Sequence, residues 1–268
     1  MKVGNLAMRF ITVAPLIPLI ILAIEWRRPE AVFGIVFAAT VVALLEYFTM
    51  ALSDPTDRWF GVAVGAALAL LIYWVPGLGG LVVPAVVILP ALYYLFRFKD
   101  LTTVMVRLGL TTLGLVYAGL LLMFLALMKR DVPHGGDWML ITLMTAWFGD
   151  TGAYFAGRFL GKTKLYPAIS PGKTRAGAVG GVIGSFGAAV LGTLWFFPEL
   201  GWVHGAVVTV VGSALGQTGD LVESMLKRAF GVKDSGKILP GHGGILDRVD
   251  AVLFIAPFVY LYARYVWS

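Results

Sequence analysis

The sequence predicts an all-α polytopic membrane protein of about nine transmembrane helices, with a cytoplasmic N-terminus and a polar site in its C-terminal half. Three observations predict it. Apolar residues make up 59% of the chain and charged residues 13%, with a mean hydropathy of +0.86, beyond the range of soluble domains. The apolar residues fall in runs near the ~20 residues that a helix needs to cross the hydrocarbon core. The charges lie mostly between those runs, unequally on the two sides.

Nine apolar segments can be drawn, at 8–25, 31–52, 59–75, 79–97, 104–128, 138–160, 177–197, 203–222 and 245–267. The first follows a weakly basic start (Lys2, Arg9) with no clear small-residue cleavage site after it, so it is expected to be a retained span. "VPGLGG" at 75–80 makes a tight turn between the third and fourth. With nine spans, sixteen of the 21 Lys and Arg fall on the N-terminal side, and Arg27, Arg28, Lys129, Arg130 and Arg264 fall on the other. The positive-inside rule places the richer side in the cytoplasm. Residues 1–135 are expected to supply scaffold and dimer contacts, and residues 136–268 the catalytic region. The spans leave no room for a separate soluble domain. The absence of cysteine excludes disulfides and thiolate chemistry. A net charge of +6 in such a chain points to anionic lipid and not to nucleic acid.

Acids then stand out. Asp150 lies inside the sixth segment, where an ionisable group costs on the order of 3 kcal/mol and needs a partner or a task. Tyr154 and Arg158 follow on nearly the same helix face, so an internal contact that only joins helices is the alternative. The eighth segment ends in "GQTGDLVESMLKR", where Asp220, Glu223, Ser224 and Lys227 share an arc of about 100°. An amphipathic end in the headgroup zone explains Lys227 and Arg228 well and the acids poorly. Asp247 and Asp250 sit three residues apart in the first turn of the ninth helix, a position that dipole matching also favours. Several carboxylates without cysteine point to a hard cation, Mg²⁺ first. Glu46, deep in the second segment, is expected to make a helix contact.

The stretch "KDSGKILPGHGGILDRVD" at 233–250 concentrates charge and glycine. Gly243 and Gly244, after His242, permit positive φ and close ligand approach, and the following helix start offers N–H groups to an anion. Arg248, Arg228, Lys227 and Lys233 add cations. A membrane re-entry turn needing glycine for geometry alone is the alternative. "SPGKTRAGAVGG" at 170–181 brings Lys173, as a second phosphate grip or as a basic cytoplasmic loop. Gly-Lys-Thr at 161–163 and 172–174 is not a P-loop, since Ala156 and Pro167 stand where its first glycine is required. His134 and His204 lack metal-ligand spacing and are expected to be structural.

"SMLKRAFGVKDSGKILPGHGGILDRVD" at 224–250 resembles the signature of phosphatidate cytidylyltransferases, or CDP-diacylglycerol synthases, without a gap. Its matching positions are Ser224, Lys227, Arg228, Lys233, Asp234, His242, Gly243, Gly244, Asp247, Arg248 and Asp250. "GDTGAYFAGR" in the sixth segment and "GQTGDLVES" resemble the family too, so the likeness covers about residues 140–268. Gly172 and Ala176 stand where the family's loop commonly has lysine and glutamate.

The resemblance implies cytidylyl transfer from CTP to phosphatidate, an all-helical fold, a homodimer and a polar cavity open to the cytoplasm and to lipid, here in a prokaryotic inner membrane. It makes Asp220, Lys227, Arg228, His242, Asp247, Arg248 and Asp250 candidates for the chemistry. Asp150, Tyr154, Lys173, Ser224, Lys233, Gly243 and Gly244 are candidates for substrate binding. Asp220, Glu223, Asp247 and Asp250 are candidates for Mg²⁺, with a two-metal arrangement left open. Competing readings are a CTP-dependent prenol-type kinase, an ion-coupled transporter, and an inactive relative serving as a scaffold.

Overall fold

The computed structural model describes residues 16–238 and 243–267. Lys2, Arg9 and His242 lie outside the described residues, as do residues 8–15 of the first expected span. Among the described residues, five helices are long and apolar enough to cross a membrane: Glu30–Ala51, Pro55–Trp74, Pro76–Arg97, Leu101–Leu120 and Arg175–Phe196. The chain is therefore an all-α membrane protein, and it divides into two compact units.

The first unit contains Glu30–Ala126 and Asp234–Arg248. After a short helix α1 (Leu16–Glu25) come α2 (Glu30–Ala51), α3 (Pro55–Trp74), α4 (Gly79–Arg97) and α5 (Leu101–Gly114). Asp54 caps α3 by accepting from the Thr56 N–H at 2.8 Å, with Pro55 in the first turn, where its missing N–H costs nothing. Asp100 caps α5 in the same way, accepting from the Thr102 N–H at 3.0 Å. Glycines set the spacing of these helices. A Cβ on Gly61 would strike the Phe48 ring, and one on Gly65 would strike Leu44, so α2 and α3 meet closely. Buried Asp57 accepts from Arg107 Nε and Tyr93 Oη, both at 2.9 Å, which ties α3, α4 and α5 with one satisfied ion pair.

The fifth expected span, 104–128, is not one regular helix. A π-helical turn at Leu115–Leu120 separates α5 from α6 (Met123–Asp131).

The second unit contains Leu127–Lys233 and Val249–Ser268. Its long helices are α7 (Gly135–Leu160), α8 (Arg175–Leu191, continued by a π-helical turn at Gly192–Phe196), α9 (Gly201–Ala229) and α10, which starts at Leu246 and ends at Tyr265. The backbones of α7 and α8 touch at Gly152, Gly180 and Gly184, where any side chain would collide with the facing main chain. The Gln217 amide donates to the Ala178 carbonyl at 3.1 Å and joins α9 to α8. The expected basic loop after α7 is instead an antiparallel hairpin of β1 (Lys164–Tyr166) and β2 (Ser170–Thr174). Thr174 ends β2 and caps α8, accepting from the Gly177 N–H at 3.0 Å. His134 and His204 are structural: His134 stacks on Phe197, and His204 bonds Tyr262 at 2.8 Å.

Candidate functional site

Charged side chains gather at two places, one in each unit. In the second unit, α9 carries Asp220, Glu223, Ser224 and Lys227 on one face, as its helical period requires. Lys173 from the hairpin pairs with Asp220 at 2.6 Å, both half-buried. Lys227 pairs with Glu223 one turn below it, and Glu223 is buried. The Ser224 hydroxyl lies 3.5 Å from Asp220 Oδ1. Gly219 brings α10 close, since a Cβ there would stand 2.5 Å from the Asp250 carbonyl. As a result the charges of Asp220, Asp150 and Lys227 all act on Asp250. Four carboxylates and two lysines thus share one region.

Other expected residues of this unit lie toward solvent or lipid. Arg158 donates to the Tyr154 hydroxyl at 2.7 Å, both exposed, so Tyr154 is engaged by Arg158 within α7. Arg228 is exposed and donates to the Val232 carbonyl at 3.2 Å, closing the end of α9. Lys233 is exposed.

In the first unit, Ser235 and residues 243–247 gather around two carboxylates. Asp247 Oδ2 accepts from the Ser235 N–H and hydroxyl, both at 2.9 Å, and from the Gly244 N–H at 2.8 Å. Gly243 has φ +80°, a conformation open to glycine, and a Cβ there would lie 2.5 Å from Asp247 Oδ2. Glu46 is the second carboxylate, and it was expected only to make a helix contact. It is buried, it accepts from the Ile245 N–H at 3.0 Å and the Leu246 N–H at 2.9 Å, and the Ser235 hydroxyl, whose one proton is shared with Asp247, lies 3.2 Å from it. Its one visible signal in the sequence is a carboxylate in an apolar run. Gly244, expected to admit a ligand, faces Glu46 and Ser235. Arg248 is exposed.

Among the described residues, no three of His, Cys, Asp and Glu converge to form a metal cage. Mg²⁺ does not need one, because it binds through one or two carboxylates and takes further ligands from water and substrate phosphate. The carboxylates of Asp220 and Asp250, with Asp150 in electrostatic range, suit that hard cation.

Comparison with known proteins bears on this geometry. A family model described as "Cytidylyltransferase family" matches residues 7–266. The chain is 37% identical over 207 residues to a phosphatidate cytidylyltransferase of Bacillus subtilis (strain 168), covering 69% of this chain and 77% of the relative. It is 45% identical over 148 residues to one from Staphylococcus haemolyticus, covering 54% of this chain and 55% of the relative. For one from Brucella suis biovar 1 the identity is 42% over 154 residues, covering 58% and 57%. The chain thus spans most of the Bacillus relative and about half the length of the other two.

Proposed function

The chain belongs to the cytidylyltransferase family, and from that premise we propose that it transfers the cytidylyl group of CTP to phosphatidate, giving CDP-diacylglycerol and pyrophosphate. It is a nucleotidyltransferase of phospholipid synthesis, embedded in the membrane that holds its lipid substrate. The observation that carries this reading is the family match over residues 7–266. It outweighs the kinase and the transporter.

A phosphate oxygen of phosphatidate attacks the α-phosphorus of CTP. A new O–P bond forms, the bond to the β-phosphate oxygen breaks, and pyrophosphate leaves with that electron pair. The attacking group is already an anion, so positioning and charge neutralisation carry the rate more than a general base does. Lys173 and Lys227 are the cations best placed to grip phosphate, because each already faces a carboxylate in the cluster on α9. Arg228, Lys233 and Arg248 are exposed and suit the capture of a highly charged nucleotide. We assign Asp220 and Asp250 to Mg²⁺, with Glu223 and Asp247 as further candidates; when bound, the cation supplies charge neutralisation at the phosphates. Asp150 and Ser224, beside the acidic cluster, are assigned to substrate binding. Nine spans with sixteen basic residues facing the cytoplasm, an inner-membrane location and a homodimer complete the proposal. The charge asymmetry supports the orientation, and the bacterial relatives support the location.

Purified protein with CTP labelled in its cytidine, phosphatidate and Mg²⁺ should yield labelled CDP-diacylglycerol and pyrophosphate. Labelled CDP with a phosphorylated lipid would point to the kinase. No nucleotide-linked lipid with any divalent metal would sink the proposal.

A further inference from the structure

Among the described residues that lead into the last helix, no side chain can cap it. Its first residue is Leu246, preceded by Gly243, Gly244 and Ile245, and none of these side chains can accept a hydrogen bond. The first N–H groups of a helix must still be satisfied, above all at a membrane. Here Glu46 takes two N–H groups at the helix start from a different helix: its two oxygens accept from Ile245 and Leu246, the latter 200 residues away in sequence, while the Arg248 N–H goes to the Ile245 carbonyl. The positive end of the helix dipole in turn compensates a carboxylate that α2 buries. Ser235 extends the arrangement, because its hydroxyl lies within reach of both Glu46 and Asp247. Gly236 and Gly244 fit the same picture. A Cβ on either would run into the Glu46 carboxylate, so both glycines are needed for Glu46 to approach.

We propose that Glu46 is a positioning residue for the proposed reaction: a remote N-cap that holds residues 243–248 beside Ser235 and fixes the direction in which Asp247 and Arg248 project. The role rests on the reading of this turn as part of the cytidylyltransferase site. Glu46 itself touches no substrate. It acts through the backbone of Ile245 and Leu246 and through Ser235.

The test uses full-length protein in detergent, with Glu46→Ala, Glu46→Gln and Ser235→Ala compared with wild type. Amide hydrogen exchange is followed in peptides covering 243–250 and, as a control, in peptides from Gly201–Ala229. Losing two charge-assisted hydrogen bonds should raise exchange at 243–250 by about tenfold or more in Glu46→Ala and leave the control unchanged. Turnover should fall by a similar factor while KM for CTP shifts less, and Glu46→Gln, which keeps one acceptor oxygen, should recover part of both effects. Wild-type exchange and turnover in folded Glu46→Ala would overturn the proposal. If Glu46→Ala does not fold, Ser235→Ala decides: raised exchange at 243–250 with reduced turnover supports the role, and wild-type values for both refute it. A wild-type protein without cytidylyl transfer would refute the proposed reaction instead, and the exchange measurements would still decide whether Glu46 holds the turn.

Discussion

Glu46 and Asp247 are met by backbone N–H groups and one serine hydroxyl, whereas Asp220 and Glu223 are met by the ammonium groups of Lys173 and Lys227. The two kinds of partner behave differently. A backbone N–H is fixed by the fold and cannot leave without opening the turn. A lysine ammonium rides on a flexible stem and can swing to a phosphate. The first arrangement therefore suits holding a shape. The second suits exchanging partners when a nucleotide with several negative charges arrives, because a carboxylate that gives up a lysine can keep its compensation by taking a cation. Burial alone does not separate the two, since both Glu46 and Glu223 are buried. The chemical identity of the partner does.

The sharpest way to break this contrast is Asp220→Asn. The side chain keeps its size but loses the charge that faces Lys173. Cytidylyl transfer should fall by about 10²-fold or more if Asp220 supports the developing charge, while exchange at 243–250 stays at the wild-type value. Rates with labelled CTP, measured on protein whose thermal unfolding is unchanged, check it. Near-normal transfer would remove Asp220 from the chemistry and leave its pairing with Lys173 as a helix-to-hairpin tie. A smaller effect is expected from Lys173→Ala. Loss of one charged hydrogen-bond donor to a phosphate should raise KM for CTP by about tenfold, with turnover reduced less. A drop in turnover at unchanged KM would instead place Lys173 at the transition state.

How much of this could be read from the sequence follows from the range of its signals. The stripe of Asp220, Glu223, Ser224 and Lys227 was legible because a helix repeats every 3.6 residues, and the pairing of Lys227 with Glu223 is the i,i+4 contact that this period allows. The reach of Lys173 to Asp220 was not, because it depends on a hairpin whose strands have three and five residues, too short for alternation to declare itself. Glu46 was visible as an anomaly, but its partners follow from how α2 meets a turn 200 residues later, which no local period encodes. Gly244 shows the same limit. The sequence offers a glycine open to close approach; only the packing shows that Ser235 and Glu46 fill the space a Cβ would need. Of the expected spans, the helices that carry few charges stand clear as membrane-crossing. In α7 and α10 charged residues dilute the apolar signal, and in α9 glycines, His204 and Gln217 do so ahead of the acids.

The smallest effect tests what a lysine–carboxylate pair is worth away from any site. Asp54, between α2 and α3, has both kinds of partner: Lys99 Nζ lies 2.5 Å from one oxygen, and the Thr56 N–H donates to the other at 2.8 Å. The Lys99 hydrogen bond first, and the Thr56 N–H second, draw its carboxyl down to about 2 from the usual 3.8. A folded-state value below the unfolded one means that the charged form stabilises the fold at neutral pH, and that this contribution fades as pH falls from about 4 toward 2. Asp54→Asn keeps a capping side chain and loses only the charge. Its melting temperature should sit slightly below wild type at pH 7, and the gap should close as the pH is lowered to 3 and below. A melting temperature equal to wild type across that range would show that Asp54 works through the cap that asparagine keeps and that the lysine adds nothing. In that case Lys173 opposite Asp220 is equally free to leave its carboxylate for a phosphate. A gap that closes on acidification sets the small cost that Lys173 must overcome to do so.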